Sequence, residues 1–209
     1  MKHPPKPAQP KVPKKSDIAE RFTGKGVFPH QMAFTLLIPL RNIFLSPKKL
    51  IQRLELKPDS SVLEVGPGPG YFSTAVAKHV SRGTLTLADI QQEMLDWAKK
   101  RIGKKGLSNV SYHLCDGESF PFADNSFDVI FLITVLGEVE NKEAYLKKFH
   151  RILKPDGILS ISELAGDPDK IPAKELKNLL KGYGFKADKL YGNRWNYTLN
   201  FKKRPERPI

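Results

Sequence analysis

The chain has 209 residues, 40% of them apolar and 27% charged, which suits one globular domain with tails. Its single cysteine, Cys115, excludes an intramolecular disulfide and any multi-cysteine zinc site, and fits a reducing cytoplasm. The formal net charge is +13, and much of it sits on two tails: five lysines and no acid in residues 1–15, and Lys202, Lys203, Arg204 and Arg207 against Glu206 at the end.

Residues 1–15 are rich in proline and lysine and are expected to form a disordered tail. With no apolar run behind them, no secretory leader is expected, and no stretch approaches the roughly 18 continuous apolar residues of a spanning helix. Residues 16–57 read as an N-terminal helical cap. Met32, Phe34, Leu36, Leu37, Ile38, Leu40, Ile43, Phe44 and Leu45 are densely apolar and broken by Pro39. Ser46-Pro47 then reads as an N-cap with proline at the first helical position, and Leu50, Ile51 and Leu54 give that helix a face. Residues 58–209 form the main domain. From residue 61 strands alternate with helices: Ser61–Val65, a glycine loop, a helix to about Val80, Thr84–Ala88, a helix over Gln92–Arg101, Asn109–Leu114, Phe127–Leu132, and a helix over Lys142–Leu153. A turn at Pro155-Asp156-Gly157 precedes a strand at Gly157–Ser162. A helix over about Pro172–Lys181 ends at Gly182 and Gly184. Phe185–Leu190 and Trp195–Phe201 then read as a hairpin joined by Tyr191–Arg194. Buried strands separated by helices imply an α/β fold with a doubly wound, mainly parallel sheet and an antiparallel last strand.

The segment Val62–Phe72 carries the chemistry. A strand runs through Glu64, and Gly66, Gly68 and Gly70 alternate with Pro67 and Pro69 before a helix begins. Ligands of such sheets bind at the carboxyl ends of the strands, near the point where strand order reverses. A dinucleotide loop has the spacing G-x-G-x-x-G and cradles a pyrophosphate. Here the spacing is G-x-G-x-G, and the Glu64 carboxylate two residues upstream would repel phosphate and favour a cation. No Gly-Lys-Ser/Thr follows, so the Walker pattern is absent. Asp89 ends the second strand about 20 residues on, where an acid can accept hydrogen bonds from ribose hydroxyls or cap the helix at Gln92. Asp116, just after the third strand, can accept from an adenine amino group or sit in an ordinary turn. Three acids ending three successive strands would face one crevice.

In order and spacing, VLEVGPGPGYFS, LADIQQEMLDWAKKR, CDGESFPFADNSFDVIF and FHRILKPDGILSISE, within residues 62–163, resemble the class I S-adenosylmethionine (SAM)-dependent methyltransferase family of the type 11 kind. The resemblance implies a Rossmann-like seven-stranded sheet of order 3-2-1-4-5-7-6 with the last strand antiparallel, and SAM as cofactor. It implies Gly66 and Gly68 beside the methionine part, with Glu64 and Gly70 on the same loop, Asp89 on the ribose, and Ile90 against adenine. Asp116 and Gly117 would meet the adenine edge, and Ile133 and Thr134 the cofactor floor. Two features depart from the family. Val135-Leu136-Gly137-Glu138 stands where many relatives carry histidines, which weakens any histidine base, and Asp156-Gly157 replaces a Gly-Gly turn.

Methyl transfer from a sulfonium needs an acceptor held in line and dry, and a base only if the acceptor must lose a proton. Glu138 and Glu163, near the strand ends, are the candidate acids for contacting the acceptor. His150 and Cys115 read as structural. Phe28, Met32, Phe34, Leu37 and Arg41 in the cap either cover a substrate or complete the core, and Asn193, Arg194 and Tyr197 can border the pocket. The apolar cap favours a small-molecule or lipid-like acceptor. A nucleic-acid acceptor draws support from the charge but lacks an Asn/Asp-Pro-Pro-Tyr/Phe motif, and a non-catalytic SAM-fold binding protein is opposed by the intact loop. Arsenic methylation wants more than one thiolate. The lysine-rich tail and apolar cap permit peripheral membrane contact, and the expected location is the cytoplasm.

Overall fold

The computed structural model describes residues 45–116 and 119–204. The expected disordered tail, most of the 16–57 cap with Phe28, Met32, Phe34, Leu37 and Arg41, and Gly117 of the cofactor set lie outside those residues. The described elements are helix α1 (Pro47–Leu54), β1 (Ser61–Val65), α2 (Ser73–His79), β2 (Thr84–Asp89), α3 (Gln92–Gly103), β3 (Val110–Leu114) and β4 (Phe127–Ile133). A 3-10 turn at Leu136–Glu138, α4 (Lys142–Ile152), β5 (Leu153–Glu163), α5 (Ala173–Lys181), β6 (Phe185–Gly192) and β7 (Tyr197–Lys203) complete them.

The strands form one seven-stranded sheet in the order β3-β2-β1-β4-β5-β7-β6. β1 pairs in parallel with β2 and β4, β2 with β3, and β4 with β5, while β7 runs antiparallel to both β5 and β6. This is the order and sense expected from the sequence. The central strands read as apolar runs because helices cover both faces. On one face, Leu50 and Leu54 of α1, Val76 and Ala77 of α2, and Leu95, Ala98 and Ile102 of α3 pack with Val62, Leu85, Leu87, Val129 and Phe131. On the other, Tyr145, Leu146, Phe149 and Ile152 of α4 and Leu176 and Leu180 of α5 pack with Leu63, Val65, Ile130, Leu132, Leu159 and Ile161.

Helix α1 begins as its sequence dictates. Ser46 is extended (ψ 153°), its hydroxyl accepts from Lys49 N at 3.3 Å, and Pro47 opens the helix. The helix is tied to the far end of the chain. Arg53 Nη1 donates to Thr198 Oγ1 at 2.9 Å, and Asn200 Nδ2 donates to the Arg53 carbonyl at 2.7 Å.

One element departs from its expected bounds. The Pro155-Asp156-Gly157 segment does not separate α4 from its strand, because β5 starts at Leu153 directly after α4. Leu153 pairs with Phe127 and Ile158 with Val129, so the intervening residues form an irregularity inside the ladder. Asp128 secures it: Lys154 Nζ lies 2.7 Å from Asp128 Oδ1, and Ser61 N donates to Asp128 Oδ2 at 2.8 Å, joining three strands through one carboxylate. The last hairpin also differs, with β6 extended to Gly192 and β7 shifted by two residues to Tyr197–Lys203.

Candidate functional site

Strand order reverses between β1 and β4, the point at which sheets of this kind form a ligand crevice beyond the carboxyl ends of their strands. The glycine loop enters it directly from β1. Gly66, Gly68 and Gly70 all have positive φ (67°, 53° and 76°), a region that β-carbons disfavour. At Gly66 the reason is double. Its N–H donates to the Ala88 carbonyl at 2.8 Å, and a β-carbon there would lie 2.5 Å from Val135 Cγ2. Gly70 turns its missing side chain towards α3, 3.0 Å from Ala98 Cα and Cβ, so it serves close loop–helix packing. Arg101 of the same helix donates to the Pro69 carbonyl at 3.1 Å. The loop is thus braced from behind by α3 and from below by Val135.

Two carboxyls stand beneath this loop. Glu64 is 3% exposed, and among the described residues its Oε2 has no hydrogen-bond partner. Burial pushes its pKa up to about 8; the Ser73 hydroxyl offsets part of the rise and the Asp89 charge adds to it. Asp89 is 8% exposed and is pushed up to about 6, also by burial, against the backbone N–H groups of Gln91, Gly68 and Ile90. Its Oδ1 accepts from Gln91 N at 3.0 Å. Asp89 does not cap α3, whose N-cap position is Gln91 and carries no side-chain cap. Ile90, next in sequence, is 40% exposed, an apolar side chain left open beside an acid.

Asp116 is exposed just after β3, and its Oδ1 accepts from Ser119 N at 2.5 Å. Cys115 is buried and hydrogen-bonded through its N–H to the Asp89 carbonyl at 2.8 Å. Burial, with the charges of Asp89 and Asp116, pushes its thiol up to about 12, so it is no nucleophile at neutral pH. Tyr145 of α4 is pushed up to about 12 by burial and by Cys115, Asp89 and Asp116. It therefore belongs to the same corner, a placement that helix periodicity alone did not reveal.

Across the crevice, Ile133 is buried at the end of β4 and Thr134 follows with φ 55°. A β-branched residue in the left-handed region is strained. The strain is held by Thr134 N donating to the Ser162 carbonyl (2.9 Å) and by Oγ1 donating to the Ile133 carbonyl (2.7 Å). Glu138 is half-buried in the 3-10 turn. Glu163 ends β5 fully buried, and among the described residues neither carboxylate oxygen makes a close hydrogen bond. Its pKa is pushed up to about 8, by burial first and then by the charges of Asp167 and Glu138, against Lys170 and the Ile171 backbone N–H. Tyr197 pairs with Glu163 across the ladder. It is buried and its hydroxyl donates to the Ile171 carbonyl, so that hydroxyl is already engaged within the fold. His150 lies edge-on to Phe185 at 5.3 Å, away from these acids. A separate groove of about 630 Å3, bordered by Gly137, Lys142, Lys170, Ile171 and Leu179, includes none of the glycine-loop residues. Among the described residues no cluster of side chains suits a metal ion.

Residues 63–161 match the family described as "Methyltransferase domain". The chain is 32% identical over 139 residues to the ubiquinone/menaquinone biosynthesis C-methyltransferase UbiE of Shewanella pealeana, covering 66% of this chain and 54% of that one. It is 36% identical over 135 residues to the same enzyme of Shewanella frigidimarina, covering 63% and 51%. The chain thus spans about half the length of the curated relatives it matches. In fold it is similar to the crystal structure of a SAM-dependent methyltransferase from Aquifex aeolicus, with a TM-score of 0.78 and 24% identity over 84% of this chain and 98% of that one. By sheet order, glycine loop and the motifs that follow it, the chain resembles the class I SAM-dependent methyltransferases, and the methyltransferase-domain match at residues 63–161 spans just under half of it.

Proposed function

We propose that the protein transfers the methyl group of SAM to a small-molecule acceptor of lipid-like character. One observation carries this reading: a buried carboxyl, Glu64, with an unpartnered oxygen beneath a loop of positive-φ glycines. An orphaned buried oxygen is costly unless a ligand completes it. In its ionised form this carboxyl repels a phosphate, whereas an ammonium or sulfonium is attracted and favours that form. The second carboxyl, Asp89, retains acceptor capacity beside the exposed Ile90, which suits a ribose next to a flat apolar base.

In this reading Glu64, Gly66 and Gly68 hold the amino-acid part of SAM, and Gly70 and Arg101 keep the loop in place. Asp89 accepts from the ribose hydroxyls, Ile90 packs on adenine, Asp116 and Gly117 meet its edge, and Ile133 and Thr134 form the floor. SAM supplies a methyl group already activated by its sulfonium. The chain's own task is to align the acceptor and exclude water. Glu163 and Glu138 stand at the ends of the strands that flank the acceptor side. Glu163, buried and without a close hydrogen bond among the described residues, is the group suited to accept a hydrogen bond or a proton from an acceptor hydroxyl. The relatives' role as C-methyltransferases of ubiquinone and menaquinone biosynthesis supports an acceptor that is aromatic, hydroxylated and apolar. The compartment in this reading is the cytoplasm, which the lone Cys115 suits.

The test is transfer of an isotope-labelled methyl group from SAM to a prenylated benzoquinol, with bulk RNA and total cell lipid as parallel acceptors. Label in the quinol or the lipid extract is the expected result. Label in RNA alone would overturn the assigned acceptor class, and no transfer to any fraction, with SAM bound, would favour a non-catalytic binding protein.

A further inference from the structure

The β6–β7 hairpin holds an exposed tryptophan in a rigid setting. Trp195 is 58% exposed at the tip, and Leu190 on β6 is 51% exposed. An exposed indole on a floppy loop would mean little, but this tip is fixed by six hydrogen bonds. Asn193 N donates to the Asn196 carbonyl at 3.0 Å, and Asn193 Oδ1 accepts from Trp195 N at 2.9 Å and Asn196 N at 3.1 Å. Asn196 Oδ1 accepts from Ala165 N at 2.8 Å. Lys170 Nζ donates to the Arg194 and Trp195 carbonyls at 2.7 and 2.6 Å. The Arg194 guanidinium stacks over the Trp195 ring, 4.8 Å from its centroid. Apolar area and positive charge are thus presented together, pre-ordered, so little side-chain entropy remains to be lost on docking.

Position and charge indicate the occupant. Tyr197 pairs with Glu163, the last residue of β5, so the tip stands at the same end of the sheet as that acid. Residues 185–204 carry six lysine or arginine side chains against one acid, Asp188. The exposed edge of β6 is a poor template for another strand, since it carries Lys186 and Lys189 and its register shifts between Ala187 and Leu190. An indole with a basic neighbour is the pairing that settles at the headgroup level of a bilayer.

We propose that the β6–β7 tip, with Trp195 as apolar anchor and Arg194 as its basic partner, docks the protein on an anionic lipid surface and turns the acceptor side of the crevice towards it. In its purpose this rests on the lipid-like acceptor proposed above, but the binding event is separately measurable.

The sequence holds two tryptophans, so Trp97→Phe leaves Trp195 as sole reporter in the full chain. Vesicles of phosphatidylcholine, with and without phosphatidylglycerol, and the same vesicles containing brominated lipid, would be titrated at low and high salt. Expected are a blue shift and bromine quenching of Trp195 with anionic vesicles, reversed by salt. In the otherwise native chain, Trp195→Ala should weaken vesicle co-sedimentation about tenfold and Arg194→Ala about fivefold. No sedimentation with anionic vesicles overturns the proposal. So does sedimentation with Trp195 unquenched and Trp195→Ala without effect, which would assign binding to the basic tails. Self-association abolished by Trp195→Ala, without vesicle binding, would give the surface to a second copy instead. SAM binding measured without vesicles stands or falls independently of all three outcomes.

Discussion

Glu64 is a carboxyl that the fold buries and leaves incomplete, and the ligand reading explains why it is there. Glu64→Gln keeps the shape and removes the charge. Its affinity for SAM should fall roughly 10- to 100-fold, the value of a charge-assisted hydrogen bond, with the thermal melt of the free protein not lowered. Because Glu64 sits near pKa 8 in the free protein, it is mostly protonated at neutral pH. A cationic ligand favours its ionised form, so SAM binding should release a proton and tighten as pH rises from about 6 to 9. Calorimetry in buffers of different ionisation heat reads this directly, and Glu64→Gln should flatten the dependence. Gly66→Ala meets two obstacles, the positive φ and the Val135 methyl group. It should cost about 1–3 kcal/mol in a urea melt. Adding Val135→Ala should return only part of that, since the backbone strain remains.

At the scale of elements, the buried strands were legible because they are short apolar runs ended by glycine, proline or acid, and the acids at Glu64 and Asp89 were legible because they sit at strand ends. What was not legible depends on long-range packing. The start of β5 at Leu153 is set by pairing with Phe127 and by Asp128 bridging to Lys154 and Ser61; a local reading sees only Pro-Asp-Gly and writes a turn. Val135 under the glycine loop and Tyr145 beside Cys115 carry no local signal either. Neither did the full burial of Glu163, which looks in the sequence like any loop acid. Thr134 in the left-handed region has no sequence signature at all. Thr134→Gly should relieve its strain and stabilise the protein by about 1 kcal/mol in a urea melt. Phe131, 1% exposed in the middle of β4, should lose about 3–5 kcal/mol on replacement by alanine.

For the molecule as a whole, Glu64, Asp89 and Glu163 share one direction of perturbation: burial holds each pKa above its unfolded value. The folded protein therefore binds more protons than the unfolded chain between about pH 4 and 8, and stability falls as pH rises through that window. In the ligand-free protein the Tm at pH 9 should lie roughly 5 °C or more below that at pH 6, and Glu163→Gln should narrow the gap. Saturating SAM should narrow it further, because the cation repays the ionisation of the carboxyls beneath the loop. The most direct test of the central claim, that this crevice is built for a cationic adenosine without phosphate, is calorimetric titration of the whole chain with SAM, ATP and NAD. The account predicts one-to-one binding of SAM with proton release and no measurable heat of binding for the two phosphate-bearing nucleotides. Tight binding of ATP or NAD with indifference to SAM would contradict it.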